Sequence, residues 1–330
     1  MRTDPSTTKL PATEKPTEFK ATRDGFGEGL VALGHEDKNV VVLTADLKES
    51  TRISKFAELF PERFFDVGVA EQNLAAIASG LGVSGKIPFI SSFAVFSPGR
   101  NWEQIRTTVA YNDSNVKIAG HHGGLLTGLN GATHQATEDI ALMRVIPNMK
   151  VIVPCDAIEA RKATIASAKM WGPVYLRFSR ERSPIMTDAD TPFIPGKANI
   201  IWGSEDPKVA IVATGPILYE ALLAARSLAS QKIGSIVINM HTVKPLDREM
   251  LIECAKRTKA VVTAEDHQIT GGLGGAVAEV LAEEFPVPLE RLGLKDVFGG
   301  SGEPKELFEK FDMTAKDIVA AAKKAIRRKK

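Results

Sequence analysis

The chain has 330 residues and is 44% apolar, which suits a globular protein large enough for two domains. Lysine plus arginine outnumber aspartate plus glutamate by only 42 to 40, so no overall basic field points to nucleic acid or a membrane surface. Cys155 and Cys254 are too few and too far apart for a disulfide framework or a zinc site, which indicates a reducing compartment. No apolar run approaches the roughly 18 residues of a membrane span, and the start MRTDPSTTKLPATEKP has no signal-peptide core. The expectation is a cytoplasmic protein with a Pro/Thr-rich arm over residues 1–17.

In chain order, apolar β-rich runs at 39–46, 87–93, 116–120, 150–154 and 173–178 alternate with helical patterns at 71–81, 102–111, 135–145 and 157–170. Continuous apolar strands separated by amphipathic helices predict a parallel sheet covered on both faces. The proline-bearing stretch ERSPIMTDADTPFIPGKANI has little periodicity and reads as a linker, over residues 183–203. A second α/β unit follows over 204–330, with strands at 208–214, 235–240 and 259–266 and helices from Ile217, Asp247, Gly274 and Thr314. The fold class is therefore α/β, two parallel or mostly parallel open-sheet domains, the first spanning 18–182. Ligands of such sheets bind beyond the carboxyl ends of the strands, where Asp46, Phe93, His121, His122 and Arg180 fall, so chemistry belongs to the first domain.

The most informative segment is FFDVGVAEQNLAAIASGL, 64–81, which sets the carboxylate of Glu71 where an apolar helix begins. Burial among apolar neighbours would disfavour its charge and the helix N-terminus would favour it; spacing alone favours a simple helix cap. The segment GHHGGLLTGLNGATHQATED, 120–139, holds three of the six histidines in a glycine-rich loop that could approach a ligand closely. His121 and His122 point to opposite sides if extended, which argues against a shared metal, and His134 lies at the start of a helix. Phe93 and Phe96 could stack on a flat heteroaromatic ring or simply fill the core. The glycines of ITGGLGGAVAE, 269–279, lack dinucleotide-loop spacing and read as a tight strand-to-helix turn.

Together, DVGVAEQNLAAIASGLG, SSFAVF, GATHQATEDIALMRVIPNMKVIVPCD and YLRFSRERSP resemble the pyrimidine-binding half of transketolase, with 1-deoxyxylulose-5-phosphate synthase as a cousin. The resemblance runs through VAIVATG and TVKPLD into that family's C-terminal domain. It implies thiamine diphosphate as cofactor, with Glu71 hydrogen-bonded to N1′ of the aminopyrimidine, Phe93 and Phe96 packed on that ring, and Asp46 beside the cofactor pocket. It also implies that Arg23, Ser50, Arg180 and His122 hold a sugar phosphate, and that His134 hydrogen-bonds substrate oxygens near the reacting carbons.

Two departures shape the expectation. Asn130-Gly131 stands where the family usually has Asp-Gly, which removes a negative charge near the substrate. The domain that holds the diphosphate and its Mg2+ (or Ca2+) through Gly-Asp-Gly and a downstream Asn is missing; Arg23-Asp24-Gly25 is no substitute. The resemblance then implies a split transketolase, in which this chain works with an N-terminal diphosphate-binding subunit in an α2β2 heterotetramer. The rivals are the β subunit of a 2-oxoacid dehydrogenase and a noncatalytic regulatory subunit of the same fold.

Overall fold

The computed structural model describes residues 18–329; the arm expected over residues 1–17 and the terminal Lys330 lie outside the described residues. In chain order the strands are β1 (Phe19–Lys20), β2 (Val40–Thr44), β3 (Phe64–Asp66), β4 (Ile87–Phe93), β5 (Lys117–His121), β6 (Lys150–Ile152) and β7 (Val174–Arg177). They continue with β8 (Ser183–Pro184), β9 (Asn199–Gly203), β10 (Pro207–Thr214), β11 (Gly234–Asn239), β12 (Thr242–Lys244), β13 (Val261–Gln268) and β14 (Leu289–Leu294). The first large sheet has the order β12-β6-β7-β5-β4-β2-β3 and the second β14-β13-β10-β11-β9. All neighbours in the two sheets are parallel except the edge pairs β12-β6 and β9-β11. The chain is thus a two-domain α/β protein with mostly parallel sheets.

Burial explains the runs of Val and Ile. Every residue of β2 and β5 is buried, as expected for strands covered on both faces. On one face the helix Thr22–Glu36 packs across Ala157–Ala168 so closely that a Cβ at Gly25 would stand 1.9 Å from the Ala157 carbonyl oxygen. On the other face, Leu74, Ala75 and Ala78 of the helix Glu71–Val83 join a core that continues through Val151 to Ala210 and Ile238 of the second sheet.

Three stretches differ from the sequence expectation. The segment expected as a linker, 183–203, is pinned along its length: the Asp156 carboxylate accepts from the backbone N–H groups of Met186 (2.7 Å) and Thr187 (2.6 Å), and its last five residues form β9 of the second sheet. β12, from the second unit, crosses back to extend the first sheet. Long-range pairings of this kind leave no local periodicity to read. The helix expected over 135–145 spans only Asp139–Arg144. Ala136 instead bridges Gly123, and the Gln135 side chain bonds the backbone of Gly128 and Gly300, so tertiary contacts hold 135–138 out of the helix.

Where the two domains meet, Arg177 is 5% exposed and donates to the Asp139 carboxylate (2.8 Å), the Ala136 carbonyl (3.0 Å) and the Asp266 carbonyl (2.9 Å). Tyr175 adds a 2.6 Å hydroxyl bond to Asp139. The Asp266 carboxylate, pushed up from its ordinary range first by burial, accepts from the N–H groups of Leu125 and Leu126. Gly123 and Gly124 are required here: a Cβ on them would meet the Arg177 side chain at 2.6 Å and the Asp266 carboxylate at 2.2 Å. Arg177→Met would strip the buried Asp139 carboxylate of its only cation among the described residues and remove one donor from each of the Ala136 and Asp266 carbonyls, which should cost about 3–5 kcal/mol of unfolding free energy in urea. A variant as stable as the parent would show that the network contributes nothing.

Candidate functional site

The site is built at the carboxyl ends of the first sheet's strands. At the end of β3, the Asp66 carboxylate accepts from the N–H groups of Asp46 and Gly68, both at 3.0 Å, and Gly68 takes the left-handed conformation (φ 70°). This turn delivers the chain to the helix Glu71–Val83, whose first residue is 4% exposed. Among the described residues the Glu71 carboxylate makes no hydrogen bond to its own helix. Its two oxygens instead accept from Arg100 Nη1, at 3.1 and 3.3 Å. Asn101 donates to the Glu71 carbonyl at 2.9 Å and fixes where the helix starts.

Past β4 the chain coils, with Phe96 N–H on the Phe93 carbonyl (2.9 Å) and Arg100 N–H on the Phe96 carbonyl (2.8 Å). A coil with residues spaced three and four apart puts Phe93, Phe96 and Arg100 on one side. The two phenyl rings stack with centroids 5.8 Å apart and planes 24° apart, and the Arg100 guanidinium lies 4.1 Å from the Phe96 centroid. His134 meets both rings edge-on, at 5.8 Å from Phe96 and 6.2 Å from Phe93. It sits in a turn five residues ahead of the helix Asp139–Arg144, not at that helix's start, with Nδ1 2.9 Å from the Thr133 hydroxyl.

His121 and His122 do diverge, as expected. His121 is core: it lies between Phe26 and Phe178, with Nε2 3.0 Å from the Ser91 hydroxyl. His122 has left-handed φ (59°) and turns its ring onto Phe93, centroids 3.8 Å apart. Beside it, the segments that carry Arg23 and Arg180 are fastened to each other through their preceding residues, since Thr22 Oγ1 accepts from Ser179 N–H at 2.7 Å. Arg23 donates to the Ser50 carbonyl at 2.9 Å, so Ser50 enters this corner through its backbone; Arg180 donates to the Thr127 carbonyl (3.2 Å) and to Glu181. Burial, then Arg52, lower the Arg23 pKa; burial, then Arg23, Arg180 and His134, push His122 down to about 3. Fixed positive charge without full compensation suits an anion.

The structure therefore joins Glu71, Phe96, Phe93, His134, His122, Arg23, Ser50 and Arg180 in one row. Asp46 and Asn130 enter it by no hydrogen bond or ring contact among the described residues: Asp46 is exposed with φ 61°, and Asn130 is exposed beside Leu129, whose carbonyl takes the Ser301 hydroxyl. The loop glycines expected to admit a ligand include Gly123 and Gly124, which serve the domain junction instead. The turn at 269–279 is closed by the chain itself, because the Glu265 carboxylate accepts the N–H groups of Leu273 (2.7 Å) and Gly274 (2.8 Å). Sequence reasoning missed Arg100 and Asn101. The Phe96-to-Arg100 spacing of four was the available signal for the first. Among the described residues no group of three or more His, Cys, Asp or Glu side chains is placed to hold a metal ion, and no helix is long and apolar enough to cross a membrane.

His122, and His241 pushed down to about 4 by burial, stay neutral in the fold at pH values where an unfolded histidine, near 6.5, takes up a proton. Between those folded values and 6.5 the unfolded chain binds more protons, so stability should fall as pH drops below about 6.5. His122→Asn should spare roughly 2 kcal/mol of the loss between pH 7 and pH 5 in urea titrations. An unchanged slope would contradict the burial of a neutral His122.

Comparison with known proteins gives concordant matches. Residues 19–185 match the transketolase pyrimidine binding domain and residues 196–318 the transketolase C-terminal domain. A putative transketolase C-terminal section of Methanocaldococcus jannaschii is 45% identical over 303 residues, 91% of this chain and 94% of that protein. The 6-deoxy-6-sulfo-D-fructose transketolase subunit SqwH of a Clostridium species is 43% identical over 307 residues, 93% and 95% of the two chains. Among solved structures, a split gene transketolase described as an inactive beta4 tetramer superposes with a TM-score of 0.88 at 49% identity, over 94% of this chain and 99% of that one.

Proposed function

This chain belongs to the transketolase family, and on that premise we propose that it is the C-terminal subunit of a split transketolase, which moves a two-carbon ketol unit from a ketose phosphate to an aldose phosphate. The observation that carries the reading is the row from Glu71 across Phe96 and Phe93 to His122, ending at Arg23 and Arg180. A shielded carboxyl beside stacked rings fits an aminopyrimidine, and the cationic corner fits a sugar phosphate. His122 Nδ1 and Arg23 Nε are buried without a hydrogen-bond partner among the described residues, as fits a site that a ligand completes.

Thiamine diphosphate bound there would supply the electron sink that lets a carbon–carbon bond of the sugar break. Glu71 would bind N1′ of its ring and move a proton at that nitrogen. Phe93 and Phe96 would hold the ring flat and keep water away, with Asp46 beside the pocket. His134, part-exposed, would hydrogen-bond the sugar oxygens near the reacting carbons. Arg23, Arg180, His122 and Ser50 would orient the distal anion, and Asn130 would reach a sugar hydroxyl. The Clostridium relative is named for a sulfonated ketose, and a two-arginine corner would accept either anion.

The diphosphate and its Mg2+ (or Ca2+) would be held mainly by an N-terminal subunit, in an α2β2 assembly. The exposed face of the helix Glu71–Val83 supports such a contact: Gln72, Asn73, Ala76, Ile77, Gly80 and Val83 carry no charge. A Cβ on Gly80 would meet nothing within 4 Å, so no packing among the described residues requires a glycine there. The neighbour described as an inactive beta4 tetramer fits the same picture of half a site.

In the enzyme reconstituted from both subunits, Glu71→Ala should cut turnover by roughly a hundredfold or more while the subunit keeps its circular dichroism. Arg180→Ala should raise KM for the ketose phosphate roughly tenfold or more, through loss of a charge-assisted contact. Unchanged turnover in Glu71→Ala would overturn the catalytic reading.

A further inference from the structure

Arg100 has no part in the function just described, yet it stands at its centre. Its guanidinium is flat, lies 4.1 Å from the Phe96 centroid, and donates to both oxygens of Glu71. A planar ring that stacks on Phe96 and hydrogen-bonds Glu71 would use the same two surfaces. We propose that Arg100 is a placeholder for the cofactor's aminopyrimidine, a guanidinium that covers Glu71 until the ring displaces it; this rests on the assignment of Glu71 and Phe96 to that ring.

Exposure supports the exchange. Glu71 is 4% exposed whereas the Arg100 side chain is 51% exposed, so Arg100 covers the carboxylate from the solvent side and must move before a ring can reach it. It is also held lightly: one nitrogen makes both hydrogen bonds, and the side chain projects from the end of the coil after β4. The Arg100 half of this part-buried pair faces solvent, which can hydrate its charge as it leaves. A carboxylate left buried and alone would be costly, which gives the free subunit a reason to keep a cation there. Arginine can only donate, so Arg100 uses Glu71 as an acceptor, whereas a neutral ring nitrogen needs a proton from that carboxyl. The two partners therefore exclude each other chemically as well as sterically.

The test is calorimetric titration of the reconstituted two-subunit complex with thiamine diphosphate in Mg2+, for the parent, Arg100→Ala, Arg100→Lys and Glu71→Ala. If Arg100 competes with the ring, Arg100→Ala binds the cofactor about three- to tenfold more tightly, Arg100→Lys falls between it and the parent, and Glu71→Ala binds more weakly. Glu71→Ala binding as tightly as the parent would overturn the assignment of Glu71 to the ring, and with it the proposal. With Glu71→Ala weakened, unchanged or weaker binding by Arg100→Ala would overturn the placeholder alone, because Arg100 would then be a neutral bystander or an aid to binding. Arg100→Lys serves as the second variant should Arg100→Ala fail to assemble.

Discussion

The buried guanidinium of Arg177 is the contact on which the arrangement depends. It lies on the last residue of β7 and binds the Asp139 side chain and the carbonyls of Ala136 and Asp266, which belong to two separate parts of the chain, the segment 136–139 and β13. Asp266 in turn holds the N–H groups of Leu125 and Leu126, so the loop after β5 is anchored between the domains. That loop begins with His122 and leads to His134. Buried ion pairs contribute little net stability when complete and cost much when broken, so the network acts by fixing one geometry. The close approach leaves no room for side chains at Gly123 and Gly124.

From that anchor the site follows as a gradient of chemistry along the strand ends. One extreme is a carboxylate shielded by a coil that stacks Phe93, Phe96 and Arg100; the other is a cationic corner that His122 shares with Arg23 and Arg180. His122 remains neutral there because burial and two guanidinium charges oppose its protonation. A neutral imidazole between a ring stack and two arginines can donate or accept a hydrogen bond without adding to the repulsion. Such a surface suits a molecule that is flat at one end and anionic at the other, or two molecules that meet between them.

Much of this was legible in the sequence because it rests on local order. The parallel strands were visible as unbroken apolar runs, and parallel topology alone places Phe93, His122 and Arg180 at the same edge. Glu71 was legible through the abrupt start of an apolar helix after Gly68. What escaped depends on distance along the chain. β12 pairs with β6 about ninety residues away, Gln135 is drawn to Gly300, and Gly124 is small because of Asp266; none of these leaves a periodic trace. The helix expected over 135–145 lost its first turn for that reason. From spacing the Glu71 carboxylate reads as a helix cap, whereas the structure turns it towards Arg100.

In the proposed assembly this chain supplies one half of a site whose other half belongs to a different subunit. Affinity purification of the chain from its native cell, with mass spectrometry of whatever copurifies in stoichiometric amount, tests it directly. The expected result is a partner that carries Gly-Asp-Gly and a downstream asparagine, with no acyltransferase or lipoyl component. Recovery of the chain with no such partner, or with acyltransferase and lipoyl domains, would contradict the account.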